Sequence, residues 1–496
     1  MQRERWSSRT TFIMAAIGSA VGLGNAWRFP GIAYTNGGGA FLVPYFFALL
    51  SAGIPLLTME IAIGKRYQAG APGALAKMNR KFEWIGWWGI STAFCITAYY
   101  SIVLAWNIDY IALSFRAPWM QRAAEHIFSR DVLQVSGGLF EFGGFRLPVL
   151  AALVAGWLCV WFCIRNGIES VGRIVKYTVL IPVVLLVVLI IRAATLPGAL
   201  EGLKYFLVPD WSKLADINVW IAAYGQIFFS ISVFFAIMIS YGSYLPKESQ
   251  VPSDSMIIGF ADAGISFLAG LAAFGTLGYL SFASGTPVAE MEHTGMMLAF
   301  VTYPEALAMM PGGPWAVILL SIVFFFMLFT LAIDSSFSIV EAIIVAFVDK
   351  FHWNKRKTTA GVCIVGFLAS LVFATHAGLY WLDIIDHFIN DFNLIAIGFC
   401  ECIAIGWIFG AEKLRSYLNS TSRLKFGRWW NFCIKYLCPA IFLFISLSYI
   451  VTNIRNPYGG YPYAYLVTAG WCVVFLTVIF AFVMPHIKSK KMRDKS

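Results

Sequence analysis

A run of apolar residues long enough to enter a bilayer usually keeps glycine and asparagine out of its middle, but between Thr11 and Ala26 this chain places Gly18, Gly22, Gly24 and Asn25 there. Each glycine weakens a helix interior by roughly 1 kcal/mol relative to alanine, and in hydrocarbon a broken helix leaves backbone groups that need partners. Ions can be those partners. Carbonyls around Gly18-Ser19-Ala20-Val21 suit a small hard cation, and amides opening a second half-helix near Gly22-Leu23-Gly24 suit a carboxylate, through the positive end of the dipole. Close packing of neighbouring helices on small residues is the competing explanation; Asn25, Arg28 and Pro30, which follow directly, weigh against it. A second chemical signal is Asp334, inside the largely apolar run from Phe324 to Val348. A carboxylate at the bilayer centre costs at least about 2.5 kcal/mol and marks a functional site by default.

The elements that position these groups follow from composition. Of 496 residues, 59% are hydrophobic and 12% charged, against about a quarter charged in a soluble domain. Apolar runs near twenty residues indicate helices rather than barrel strands, so the fold class is an all-α polytopic membrane protein. Spans are expected at about 10–35, 40–66, 85–114, 148–164, 174–193, 218–244, 255–283, 314–348, 358–376, 381–410, 431–452 and 465–485, about twelve helices. The net charge of +10 comes from bases in short loops and at the ends, not from a stripe suited to nucleic acid. Arg3, Arg5 and Arg9, loop clusters such as Lys350, Lys355, Arg356 and Lys357, and the tail Lys488, Lys490, Lys491, Arg493 and Lys495 put both termini in the cytoplasm. No cleavable signal is evident ahead of the first run. The nine cysteines lie in or beside spans, without metal-site spacing or an extracellular pair. On the opposite side, 284–313, with Glu290, Glu292, His293 and Glu305, suits a helical lid over an external vestibule.

Five spans after the first interruption comes another polar one, Gln226-Ile227-Phe228-Phe229-Ser230-Ile231-Ser232. Two broken helices at corresponding positions of two five-helix units are the pattern of a midplane site between inverted repeats. The expected organisation is a segment 1–9, a first repeat 10–193, a connection 194–217, a second repeat 218–410, a loop 411–430, two additional helices in 431–485 and a basic tail 486–496. The second break lacks glycine in Val233-Phe234-Phe235-Ala236, and Ser230 and Ser232 could instead bond back to their own helix.

The run Gly18-Ser19-Ala20-Val21-Gly22-Leu23-Gly24-Asn25-Ala26-Trp27-Arg28-Phe29-Pro30, with Asn36-Gly37-Gly38-Gly39, Glu60, Tyr99-Tyr100, Gly225-Gln226-Ile227-Phe228-Phe229-Ser230 and Asp334-Ser335-Ser336, resembles the neurotransmitter:sodium symporter family over nearly the whole chain. The resemblance implies a first sodium among the Ala20 carbonyl, Asn25, Ser230, Asp262 and a substrate carboxylate. A second would use Gly18, Val21, Leu331, Asp334 and Ser335; both are oxygen cages for a hard cation. It implies a substrate bed of Ser19, Ala20, Leu23, Gly24, Ile96, Tyr100, Phe229, Ser230, Ser232, Phe235, Ser335, Ser336 and Ile339, with the Tyr100 hydroxyl on the carboxylate and Phe229 as a lid. Arg28 with Asp386 would form the outer gate, with Asp383 a nearby rival, and Arg3 with Asp349 the inner latch, near Trp6 and Tyr244. In a chain 17% aromatic, Tyr100 and Phe229 read alone are ordinary core residues, and Arg3 with Asp349 a solvated pair.

Gly22 stands where monoamine-carrying relatives resemble one another in having an aspartate, which points to a substrate carboxylate and so to an amino acid. With no charge expected beside the substrate side chain, a neutral one is indicated, apolar or aromatic for preference; Phe234 and Phe235 reshape that pocket. The expectation is a symporter and not an enzyme, coupled to two sodium ions, in the cell membrane, with the short 115–147 segment resembling bacterial, inner-membrane members. Tyr45, Gln226, Ser230 and Ser266 match the family's chloride ligands, yet Asp262 supplies a fixed negative charge beside them, so chloride is expected to be dispensable. A proton-coupled permease of another inverted-repeat family and a non-transporting amino-acid sensor are the alternatives; no soluble domain is appended to serve the latter.

Overall fold

A computed structural model describes residues 3–290 and 295–487. The expected lid residues Glu292 and His293, and the basic tail residues Lys488, Lys490, Lys491, Arg493 and Lys495, lie outside them. The described residues form helices joined by short turns, as a lipid solvent that satisfies no backbone group requires.

The first span is helical over Arg9–Ala20, breaks, and restarts with the π turn Gly24–Arg28 running into Phe29–Thr35. The sixth is likewise split, into Ile217–Ser230 and Ile237–Gly242. Ten further helices are long and apolar enough to cross a membrane: the second span Gly39–Tyr67, third Arg80–Ser114, fourth Leu147–Ile164, fifth Ile168–Ala194, seventh Val251–Ser284, eighth Gly313–Phe351, ninth Lys355–Ala374, tenth Gly378–Thr421, eleventh Arg428–Gly460 and twelfth Tyr463–His486. In the most apolar stretch of the third span 83% of residues are buried, against 22% for the eleventh. The third is therefore a central pillar and the eleventh a peripheral helix with an outward apolar face.

Two connections carry more structure than expected. The 194–217 segment contains the helix Ala199–Leu207, whose Phe206 stacks on Phe274 at 4.7 Å. Part of the 411–430 loop is helical: at Gly410 the backbone turns left-handed (φ 93°), and Ala411–Thr421 continues beyond it, anchored by buried Leu414 and Leu418. A single pair of leucines in a charged segment carries too little periodicity to announce such a helix. On the opposite side, the lid is partly realised as the helix Leu298–Met309, with Phe300 packed 6.0 Å from Trp27 and 5.3 Å from Phe128.

Candidate functional site

Both breaks are held open by specific partners. At the first, Val21 takes an extended conformation (φ −79°, ψ 103°) and donates its amide to the Ile17 carbonyl, which leaves the carbonyls of the last turn, Gly18 to Ala20, without helical successors. The Gly22 amide donates to Asn25 Oδ1 at 2.9 Å, and the Leu23 amide to the Tyr100 hydroxyl at 3.2 Å. A Cβ on Gly22 would lie 2.6 Å from Ser335 Oγ, and one on Gly24 2.6 Å from the Phe229 ring, so the backbone approaches its neighbours as only glycine permits.

At the sixth span, Ser232, Phe234 and Ala236 all have positive φ (55°, 69° and 63°) although none is glycine. Such residues cost on the order of 1–3 kcal/mol each and persist only where the surroundings impose them. Here Ser232 Oγ donates to the Ser19 carbonyl at 2.8 Å, tying one break to the other, and the Phe234 amide donates to Glu60 Oε1 at 2.5 Å. The two serines divide: Ser232 reaches across to the first span, and Ser230 to Asp262, rather than bonding back to their own helix.

Where the breaks meet there is a cavity of about 40 Å³. Its walls include Ser19, Ala20, Leu23, Gly24, Ile96, Tyr100, Phe229, Ser230, Ser232, Phe235, Ser335 and Ile339, twelve of the thirteen positions expected to hold substrate, and also Gly22, Asn25 and Ile237. Ser336 is the exception. Its hydroxyl donates to the Ala332 carbonyl at 2.8 Å on its own helix, which turns it away from the cavity. No lining residue is charged. Ser338, not singled out from the sequence, steadies Ser19 by accepting its hydroxyl at 2.9 Å.

Beside the cavity lies a buried polar cluster. Asn25 Nδ2 donates to Asp262 Oδ1 at 2.7 Å and to Ser266 Oγ at 2.7 Å, and Ser230 Oγ donates to Asp262 Oδ2 at 2.8 Å. Asp262 is fully buried with amide and hydroxyl partners, none of them a base. Gln226, also fully buried, has both side-chain polar atoms unpartnered among the described residues. On the other side of the first break, Gly18, Val21, Leu331 and Asp334 line a void of about 10 Å³, the scale of a single small occupant. Thr178 of the fifth span joins them there. Asp334 is 2% exposed and its Oδ1 has no partner among the described residues, so a carboxylate oxygen is free beside helix-end carbonyls: a donor set that fits a hard cation. Thr178 gave no sequence signal beyond one hydroxyl in an apolar run.

The two ends of the molecule differ. On the face bearing the N-terminus, Arg3 Nη1 donates to both Asp349 oxygens at 2.6 and 2.8 Å, and its guanidinium lies 5.0 Å from the Tyr244 ring. Trp6 donates to the Tyr241 carbonyl at 3.0 Å, and Lys355 bridges Glu4 and Glu341 at 2.7 Å each. Both side chains of the Arg3–Asp349 pair are partly covered, at 20% and 23% exposed. On the opposite face, Arg28 and Asp386 line a vestibule of about 600 Å³ but form no ion pair with each other among the described residues. Arg28 instead lies 4.4 Å from the Phe229 ring, and Asp386 accepts from Asn390 at 2.7 Å. The nearby Asp383 is held by the hydroxyls of Tyr458 and Tyr461 at 3.0 and 2.9 Å. An ion pair thus spans one end of the molecule, and at the other a vestibule reaches down to Phe229, whose ring lines both the vestibule and the central cavity.

The family model of the sodium:neurotransmitter symporters matches residues 3–126 and 119–492. An uncharacterized sodium-dependent transporter of Methanocaldococcus jannaschii is 40% identical over 99% of both chains. The sodium- and chloride-dependent taurine transporter of Bos taurus is 33% identical over 96% of this chain and 83% of its own. The human sodium- and chloride-dependent neutral and basic amino acid transporter B(0+) is 32% identical over 98% and 86%.

Proposed function

We propose, for a chain that belongs to the sodium:neurotransmitter symporter family and is therefore a sodium-dependent membrane transporter and not an enzyme, that its substrate is a neutral amino acid, imported by alternating access with two sodium ions. The observation that carries the substrate class is the uncharged cavity between the two breaks. Its first-span wall presents a helix opening and the Tyr100 hydroxyl. That hydroxyl accepts the Leu23 amide and keeps its own proton to donate to a carboxylate. The far wall is apolar, with Ile96, Phe235 and Ile339, which favours a hydrophobic or aromatic side chain. At about 40 Å³ the cavity is smaller than such a substrate, so binding moves the Phe229 and Phe235 rings outward. One sodium ion is assigned to Ala20, Asn25, Ser230, Asp262 and the substrate carboxylate, the other to Gly18, Val21, Leu331, Asp334 and Ser335.

Chloride is dispensable in this reading. Relatives carry chloride dependence in their names, and Tyr45, Gln226, Ser230 and Ser266 are present here, but Asp262 sits among them. Two anions about 4 Å apart would repel by about 4 kcal/mol at an effective dielectric near 20. The reading also puts both termini in the cytoplasm of a cell, on the positive-inside distribution of bases, and treats the two halves as inverted repeats with one break each.

A competition panel of the twenty amino acids against one labelled neutral amino acid, in proteoliposomes with an inward sodium gradient, tests the substrate class. Neutral apolar and aromatic amino acids are expected to compete. No sodium-driven uptake of the labelled amino acid, or stronger competition by the charged amino acids than by the neutral ones, would overturn the reading.

A further inference from the structure

A second cavity lies apart from the transport site. It is a groove of about 740 Å³ between the third, eighth, ninth and twelfth spans, within the roughly 300–1,000 Å³ of small-molecule sites. Phe94, Phe347, Val365 and Leu476 line it, and Val365 and Leu476 are 54% and 64% exposed, so it opens on the outer apolar surface of the helix bundle. Its polar floor is already satisfied. Ser91 donates to the Trp88 carbonyl at 2.9 Å, and Thr477 donates to the Val474 carbonyl at 2.6 Å while accepting from Asn393 at 2.8 Å. A polar ligand would find no free partner there, whereas hydrocarbon displaces water at no hydrogen-bonding cost.

The mouth has the opposite character. Lys357 lines it, exposed, at the start of the ninth span, next to exposed Arg356. Neither takes part in an ion pair among the described residues, although Lys355 beside them holds two glutamates. Basic side chains in the first turn of a helix oppose its dipole, and an anion there relieves that opposition. Trp353, also at the mouth, stacks 4.8 Å from Phe351, an amphipathic ring where membrane meets water. From Lys357 to Val365 is about 12 Å along the helix at 1.5 Å per residue, close to the roughly 15 Å half-thickness of a bilayer's hydrocarbon.

We propose that this groove is a binding site for one anionic phospholipid of the leaflet on the N-terminal face, an acyl chain lying along Val365 and Leu476 and the phosphate meeting Lys357. The pairing of a dry apolar channel with an uncompensated cation at its mouth matches an amphiphile with an anionic head and neither a free anion nor a neutral oil.

The test is native mass spectrometry of the full-length detergent-purified protein titrated with phosphatidylglycerol or phosphatidylcholine of identical chains. One saturable phosphatidylglycerol is expected, retained about fivefold more strongly than phosphatidylcholine, the factor expected of one interfacial basic side chain. Lys357→Gln should remove that preference, and Val365→Trp, which fills the groove at an exposed position, should remove the saturable lipid of either class. Equal retention of the two lipids by the unaltered protein, unchanged in Lys357→Gln, would overturn the proposal. So would a dimer that Val365→Trp dissociates, which would assign the groove to a second copy.

Discussion

In the proposed function, Tyr100 and Asp262 carry the chemistry that separates this chain's behaviour from a generic helix bundle. Tyr100→Phe keeps the ring and deletes the hydroxyl that bridges the Leu23 amide and the proposed carboxylate. Substrate affinity should fall by roughly 1.5–3 kcal/mol, the range for a hydrogen bond to a charged group, in an equilibrium binding assay in sodium; an unchanged affinity would put the carboxylate elsewhere. Asp262 supplies its charge from within a cluster that already gives it the Asn25 amide and the Ser230 hydroxyl. Uptake by the unaltered protein should survive replacement of chloride by gluconate, and Asp262→Asn should be active only with chloride. Strict chloride dependence of the unaltered protein would refute the charge substitution. Both positions are reached through the family resemblance: Tyr100 stands in a motif shared with the family, and Asp262 lies one helical turn before Ser266, among the residues matching the family's ion ligands. Ser336 lies outside the cavity lining for a reason the sequence does not carry: a hydroxyl in a helix can always return to the carbonyl four residues back, and sequence does not say which serines do.

Among the elements, the first break is legible in its glycines and the second through the polar run Gln226 to Ser232 and its position five spans later. The sixth span breaks without glycine because its strain is imposed from outside: Glu60 on the second span takes the Phe234 amide, and Gly398 on the tenth leaves room for the Phe234 ring, where a Cβ would lie 2.8 Å away. No local pattern encodes partners so distant in the chain. Removing the acceptor should therefore matter more than removing the charge. Glu60→Gln retains an oxygen for the amide and should keep most uptake, whereas Glu60→Leu leaves a buried N–H unpaired at a cost of about 1–3 kcal/mol, with reduced uptake and a lower unfolding temperature by fluorescence. Equal losses in both variants would mean that the charge, not the acceptor, holds the break. The helical continuation at Ala411–Thr421 escapes the sequence because it follows Gly410 in a charged segment that reads as loop.

Across the whole molecule, the proposed alternating-access cycle uses the Arg3–Asp349 pair as its inner latch, with the vestibule on the opposite face, and on that proposal the latch sets the balance between ends. Arg3→Ala removes an ion pair in which Nη1 donates to both Asp349 oxygens, worth about 1.5–3 kcal/mol for hydrogen bonds between charged groups, and should shift the population about tenfold or more toward opening on that face. Ala69→Cys, in the cavity beside the latch, should then react faster with a charged thiol reagent in the Arg3→Ala background, and an unchanged rate would reduce the pair to a bystander. Arg3 and Asp349 are recognisable only through the family resemblance, since 346 positions separate them and nothing local joins them. The cycle itself draws on the ion gradient: one charge moving through about 100 mV releases about 2.3 kcal/mol. The most direct measurement is uptake of a labelled neutral amino acid into proteoliposomes with an imposed inward gradient of sodium, of potassium, or of protons in sodium-free medium. Accumulation above equilibrium is predicted with sodium alone, and full accumulation driven by the proton gradient without sodium would contradict the account.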